Sequence, residues 1–378
     1  MIKRIALIVL VMILSTSIYA TDNITEDIAE SFDIDNYLKI FEDYNTENNI
    51  EGFNVKELYS ELINGQGINY SNVLDIIANN ILKQFKDTFS SVISIFIVIV
   101  ITAIVKSLEL DGNSDVVKIT KLIILISVCT VLLKNYLDII SMFKEIVNLL
   151  GYAMQVVSTF LLGVLMATGK ITSTGIVEPL LLFISNFICF ITEYIIIPFF
   201  TVSIAINIVS RISENIKMDT LSSMFRKASL YIFSTAIGIF LFVLSMETTI
   251  TKSIDNVYFQ TAQTAVSNMV PVVGKFLSDS LDTVLGATQL IGKVGGIVAL
   301  VSTIILVSIP VIKILSVVIL YNLLIAISEP INEDKDIQSL LKGFVGIYKD
   351  MLGILIGVMV LFVMSVGIIL NLVSSVTV

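Results

Sequence analysis

From about residue 88 onward the chain is almost continuous apolar sequence, interrupted only by short polar loops. Of its 378 residues 56% are hydrophobic, and the mean hydropathy is +0.94. A soluble domain of this size could not bury so much apolar surface, so lipid must be the solvent for most of it. The expected fold class is therefore all-α: a polytopic helical membrane protein with six to eight membrane segments.

The first 88 residues differ. Met1–Ala20 has a basic start (Lys3, Arg4), a ten-residue apolar core (Ile5–Leu14) and Ala20 before Thr21. This is the pattern of a signal peptide over residues 1–20, too short for an ordinary span, and it places Thr21 outside the cytoplasm. Residues 21–88 hold 14 Asp and Glu against 4 Lys, a net of −10 in a chain whose total is −9. Such a segment repels nucleic acid and anionic lipid. Its acidity either keeps an extracytoplasmic segment soluble or docks a basic partner. Phe32, Leu38, Phe41 and Tyr44 recur at helical spacing, as do Leu58 and Leu62, then Val73, Ile76 and Ile77. Gly65-Gln66-Gly67 marks a turn, and Ser71 is placed to cap a short helix. The segment reads as amphipathic helices, too small for an independent core, that lie against the membrane surface or a partner.

In the membrane domain, residues 89–378, the spans are Ser90–Val105, Val116–Leu133, Ile146–Ala167, a stretch at 176–210, Ala228–Ser245, a stretch at 294–327, and Leu352–Val373. A helix over 176–210 would be about 52 Å long, against a hydrocarbon core of about 30 Å. Pro179 and Pro198 are expected to bend or end it, and Pro310 does the same for 294–327. Loop 211–227 carries Arg211, Lys217, Arg226 and Lys227, which the positive-inside rule assigns to the cytoplasm. Four spans counted from an extracytoplasmic Thr21 put that loop on the wrong side. One segment is thus miscounted, and 176–210 is the suspect, as a crossing plus a re-entrant piece.

Regions 116–210 and 228–327 share a layout: a span, an amphipathic connector, a polar interruption, then an overlong apolar stretch with Pro. Broken segments at matching places suggest internal duplication and re-entrant hairpins, as in transporters, although ordinary short loops give the same pattern. The interruption around Pro271, Gly274, Lys275, Asp279 and Asp282 is the least lipid-like part of the apolar body. Lys275, Asp279 and Asp282 fall on one helical face, either lining an aqueous path or seam, or facing bulk water from a loop. Lys313, after Pro310, stands among Ile, Val and Leu and has to pair, snorkel or face water. Asn322 follows in the same stretch. Glu178 and Glu193 are the acidic counterparts in the first half and are candidate partners for Lys313. Gly292/Gly296 and Gly353/Gly357 have the spacing that lets helices approach closely.

Other chemistry is excluded. The chain has no His, and its two cysteines, Cys129 and Cys189, both lie in apolar runs, so neither a metal centre nor a disulfide framework is expected. Residues 286–293 resemble a phosphate-binding loop but contain one residue too many, with Val294 where a magnesium-binding Ser or Thr would stand. No catalytic constellation and no cofactor is expected, and the chain is not read as an enzyme.

Val270-Pro271, Gly274-Lys275, Ser278-Asp279, Asp282-Thr283, Pro310, Ile312-Lys313, Ser316, Tyr321-Asn322-Leu323 and Pro330 together resemble the stage III sporulation protein AE family of endospore-forming bacteria. The resemblance covers nearly the full length and is weakest in the acidic segment. It implies a multi-pass protein of the mother-cell membrane around the engulfed forespore. It also implies partners: the other stage III A proteins, a separate ATPase subunit and a forespore-side protein, in a channel or secretion-like transenvelope complex that supports sporulation. A homo-oligomer is compatible with this, and no catalytic residues carry over. A structural scaffold and an independent secondary transporter are the alternatives.

Overall fold

The computed structural model describes residues 34–47, 52–66, 68, 70–108, 115–169, 171–212, 218–242, 273–331 and 335–374; over 273–284 and at further positions within the helices, Glu178 among them, only the backbone is described. The signal sequence and Pro271 therefore lie outside the described residues. Every element among the described residues is helical. We number them α1 (Ile34–Glu47), α2 (Val55–Ile63), α3 (Tyr70–Leu108), α4 (Asp115–Ala167), α5 (Ile171–Ile191), a π-turn (Thr192–Ile196), α6 (Ile197–Ile212), α7 (Asp219–Phe242), α8 (Val273–Ile331) and α9 (Lys335–Ser374). Six helical stretches are long and apolar enough to cross a membrane, the low end of the expected range.

Local chemistry sets the ends. Asn54 caps α2, its side-chain oxygen accepting from the N–H groups of Lys56 (3.0 Å) and Glu57 (3.2 Å). At the end of α4, Thr168 Oγ1 donates to the Leu165 carbonyl, and Gly169 turns the chain at φ +83°, a left-handed conformation that glycine adopts without strain. Ser71, expected as a cap, instead lies inside α3, which begins at Tyr70 and runs without a break through residue 88.

The segments 116–133 and 146–167, read as two spans, form the single 53-residue helix α4. The connector between them lowers hydropathy but contains no Pro or Gly, so nothing breaks the hydrogen-bond ladder. Buried Leu132, Tyr136, Ile139, Phe143, Ile146 and Leu150 keep one helical stripe running through it. Three candidate spans, not four, therefore precede loop 211–227.

Prolines ended fewer helices than expected. Pro179 sits inside α5, and α8 runs for 59 residues through buried Pro310. Pro198 cannot donate to the carbonyl four residues back and would crowd it. The π-turn immediately before it, where the Ile197 N–H bonds to the Thr192 carbonyl, lets α5 continue into α6. The expected hairpin around 268–284 is not formed over its described part, where residues 273–284 are the first turns of α8.

Helix α8 is the centre of the packing, with α3, α4, α9, α1 and α2 against it. Residues 290–300 are buried apart from half-buried Lys293, whereas Gly286, at the start of the phosphate-loop mimic, is exposed. Glycines make this possible: a Cβ on Gly292 would lie 2.6 Å from Val164 of α4, and one on Gly295 would lie 2.9 Å from the Phe160 ring. The Gly292/Gly296 pair thus serves packing within one chain.

Candidate functional site

Helix α4 runs antiparallel to α5–α6, and polar pairs recur along the seam. Gln155 bonds Asn186 at 3.3 Å, the Cys189 thiol approaches the Val147 carbonyl at 3.7 Å, and Tyr136 meets Thr201 at 3.0 Å. Between them Lys144 and Glu193 form an ion pair at 2.7 Å. Glu193 sits in the π-turn, which rotates its side chain toward α4. Glu193 thus has Lys144 as its partner, not Lys313.

A second polar cluster joins α6, α7 and α9. Gly343 and Gly346 leave a notch on α9, filled by the side chains of Asn207 from α6 and Arg226 from α7. Arg226 Nε lies 3.0 Å from the Asp350 carboxylate, one turn further along α9. The carboxylate is 14% exposed, so it is held mainly by this one cation. Ser203 and Ser222 exchange side-chain-to-backbone hydrogen bonds at 2.8 Å, and Arg211 pairs with Asp219, closing the α6–α7 turn.

On the adjacent face of α9, Phe344 and Tyr348 meet Tyr136 of α4 and Tyr321 of α8 edge to face. Asn135 donates to the Tyr321 hydroxyl at 2.9 Å. The buried Tyr348 hydroxyl finds no hydrogen-bond partner among the described residues.

The residues singled out by sequence are scattered. Pro310 is buried, Lys313 is half-buried between buried Ile312 and Ile314, and no ion pair holds Lys313 among the described residues. Asn322 is exposed and its amide folds back onto the Val318 carbonyl at 2.6 Å. Nine residues at 3.6 per turn put Lys313 and Asn322 on opposite sides of α8, so they do not share a path. Tyr321, beside Asn322, is the residue that enters the core. Gly274, Lys275, Asp279 and Asp282 lie on the first turns of α8 and Glu178 on α5; their side chains lie outside the described residues. Arg226 and Asp350 were not singled out, although each is a charge at the edge of an apolar run, and Gly343, Gly346 and Asp350 share one helical face. No group of three or more Cys, Asp or Glu among the described residues is arranged to hold a metal ion.

The family model for stage III sporulation protein AE matches residues 53–372. A stage III sporulation protein AE from Bacillus subtilis strain 168 is 28% identical over 196 residues, which is 50% of this chain and 49% of that relative. The match therefore spans about half the length of the curated relative. No solved structure matches the chain. With the family match running from before α2 into α9, on six helices built to span a membrane, this multi-pass membrane protein belongs to the stage III sporulation protein AE family and has its role in sporulation.

Proposed function

We propose that the chain is a membrane subunit of a mother-cell-to-forespore transenvelope complex, a channel or secretion-like apparatus. It would act there with other stage III A proteins, a separate ATPase subunit and a forespore-side partner. The observation that carries this reading is the family match over residues 53–372, on six helices long and apolar enough to span a membrane. Asn207 and Arg226 fill the notch above Gly343 and Gly346, so the α6–α7–α9 seam offers no passage, and a path would run elsewhere on the subunit or between copies. The independent transporter reading has less support, because it expects broken helices at matching depths and α8 is unbroken.

An orientation follows. With Thr21 outside, three crossings by α3, α4 and α5–α6 bring loop 211–227 to the cytoplasm, together with Arg211, Lys217, Arg226 and Lys227. Lys106, Lys118 and Lys121 flank the α3–α4 loop on the same side, while the α4–α5 turn opposite has Lys170 alone.

The test is charge-neutral replacement in sporulating cells. Lys275→Gln, Asp279→Asn and Lys313→Gln are expected to reduce spore yield while the complex still co-purifies. Arg226→Gln, which strands Asp350, is expected to lower the amount of folded subunit instead. Normal spore yield in all three of the first set would refute a role for them at a path.

A further inference from the structure

Helices α1 and α2 belong to the acidic segment, yet they are seated on the apolar helices. Tyr37 of α1 is buried, donates from its hydroxyl to the Gly295 carbonyl of α8 at 2.7 Å, and stacks on Phe160 of α4 with ring centroids 4.5 Å apart. One turn on, Phe41 lines a small pocket with Leu149, Leu150, Ala153, Thr303 and Leu306. Helix α1 thus lies alongside residues 149–160 of α4 and 295–307 of α8. The opposite faces of α1 and α2 carry Lys39, Asp43, Lys56 and Glu57, all exposed, with Glu42 and Glu61 half-exposed.

The same height of the body has a different surface elsewhere. Gln155 is bonded to Asn186, and Gly151 packs on Cys189, so residues 183–190 of α5 stand level with 151–158 of α4. Here the exposed side chains are Phe183, Phe187, Phe190 and Asn186, the last with its amide held by Gln155 and the Leu182 carbonyl; the rings of Phe183 and Phe187 are stacked at 5.6 Å. Such a surface suits lipid, whereas the charged cover on the α4–α8 side does not, since ionised groups in hydrocarbon cost several kcal/mol each.

We propose that the body is two-sided at one membrane depth: the α1–α2 face is its water side, lining an aqueous path in the assembly, and the α5 aromatic face meets lipid. This deepens the proposed function and rests on it for the identity of the path, but the environment of each face is read without any sporulation assay.

The test uses the full chain assembled with its partners in liposomes, with Cys129 and Cys189 replaced by Ala and single nitroxide labels at Asp43, Glu57, Phe183 or Phe187. Collision with a water-soluble nickel complex is compared with collision with oxygen, which concentrates in lipid. The expected result is opposite accessibility: nickel dominates at 43 and 57, oxygen at 183 and 187. Nickel dominating at all four would place this height outside the bilayer, and oxygen dominating at all four would put α1 in lipid; either overturns the proposal. All four sites are on exposed positions, so the labels leave the packing intact. A two-sided result alongside normal spores in the path variants would fault the assembly reading and leave the surface assignment standing.

Discussion

The seat of α1 can be tested at one atom. Gly295→Ala adds a Cβ that would lie 2.9 Å from the Cζ of Phe160 and closer still to its Cε1. Phe160 is not free to yield, because Tyr37 is stacked on its ring and the Tyr37 hydroxyl is bonded to the carbonyl of residue 295 itself. Overpacking of this kind costs about 1–3 kcal/mol. Loss of the buried tyrosine hydrogen bond adds about 1 kcal/mol. Against this, alanine in place of glycine within a helix gains about 1 kcal/mol. The net is a loss of about 1–3 kcal/mol concentrated at the α1 contact, a factor of roughly 5–150 in the ratio of seated to released α1. Amide hydrogen exchange of the purified full-length protein reads this directly: exchange in α1 should quicken by that factor while α9 is unchanged. Gly353→Ala is the control, because nothing stands within 4 Å of its new Cβ and only the helix-propensity gain remains. Equal protection of α1 in the Gly295 variant and the parent would refute the close contact, and with it the placement of α1 between α4 and α8.

Two further outcomes follow from named contacts. Lys144→Glu should lower the yield of folded protein, and Glu193→Lys added to it should restore most of the yield, because the pair joins α4 to the π-turn; a double variant no better than either single one would remove the pair from the account. Burial raises the Tyr37 pKa well above its ordinary value, so the stability its neutral form contributes is complete below about pH 10 and is lost as pH climbs beyond it. Burial raises the Tyr59 pKa on α2 as well, so limited proteolysis at α1–α2 should rise above about pH 10 and Tyr37→Phe should reduce that dependence; an unchanged pH profile in the variant would assign the release to another group.

The fold class was legible because its cause is purely compositional: no soluble core accommodates this much apolar sequence. The acidic segment was legible in part, since Leu38, Phe41, Leu58 and Leu62 do form the buried stripe their spacing suggests. What it packs on was not, because the recipient surface on α4 and α8 is created by Gly295 and Phe160 meeting from positions 135 residues apart. The polar partners were less legible for a related reason. Polar residues such as Lys313 and Asn322 draw the eye in an apolar run, but a polar residue is placed by its partner, and the partner is distant. Arg226 lies 124 residues from Asp350 in sequence, yet the glycine notch brings them to 3.0 Å.

The error in counting spans has the same root and a topological consequence. Hydropathy falls across 134–145 as it would across a loop, but a loop needs more than polarity: it needs a residue that interrupts the backbone ladder, and that connector has none. Its charges also have somewhere to go, since Lys144 meets Glu193 across the seam, so burying the connector's flank costs less than its polarity suggests. The opposite case is 168–169, where the polar dip is shorter but Gly169 adopts φ +83° and the chain reverses. Two polar dips therefore give opposite topology, and the one that turns is the one that contains a glycine. Loop charge and backbone chemistry then agree: removing the false break at 134–145 leaves an odd number of crossings before residues 211–227, the parity that their four basic residues require if residue 21 lies outside.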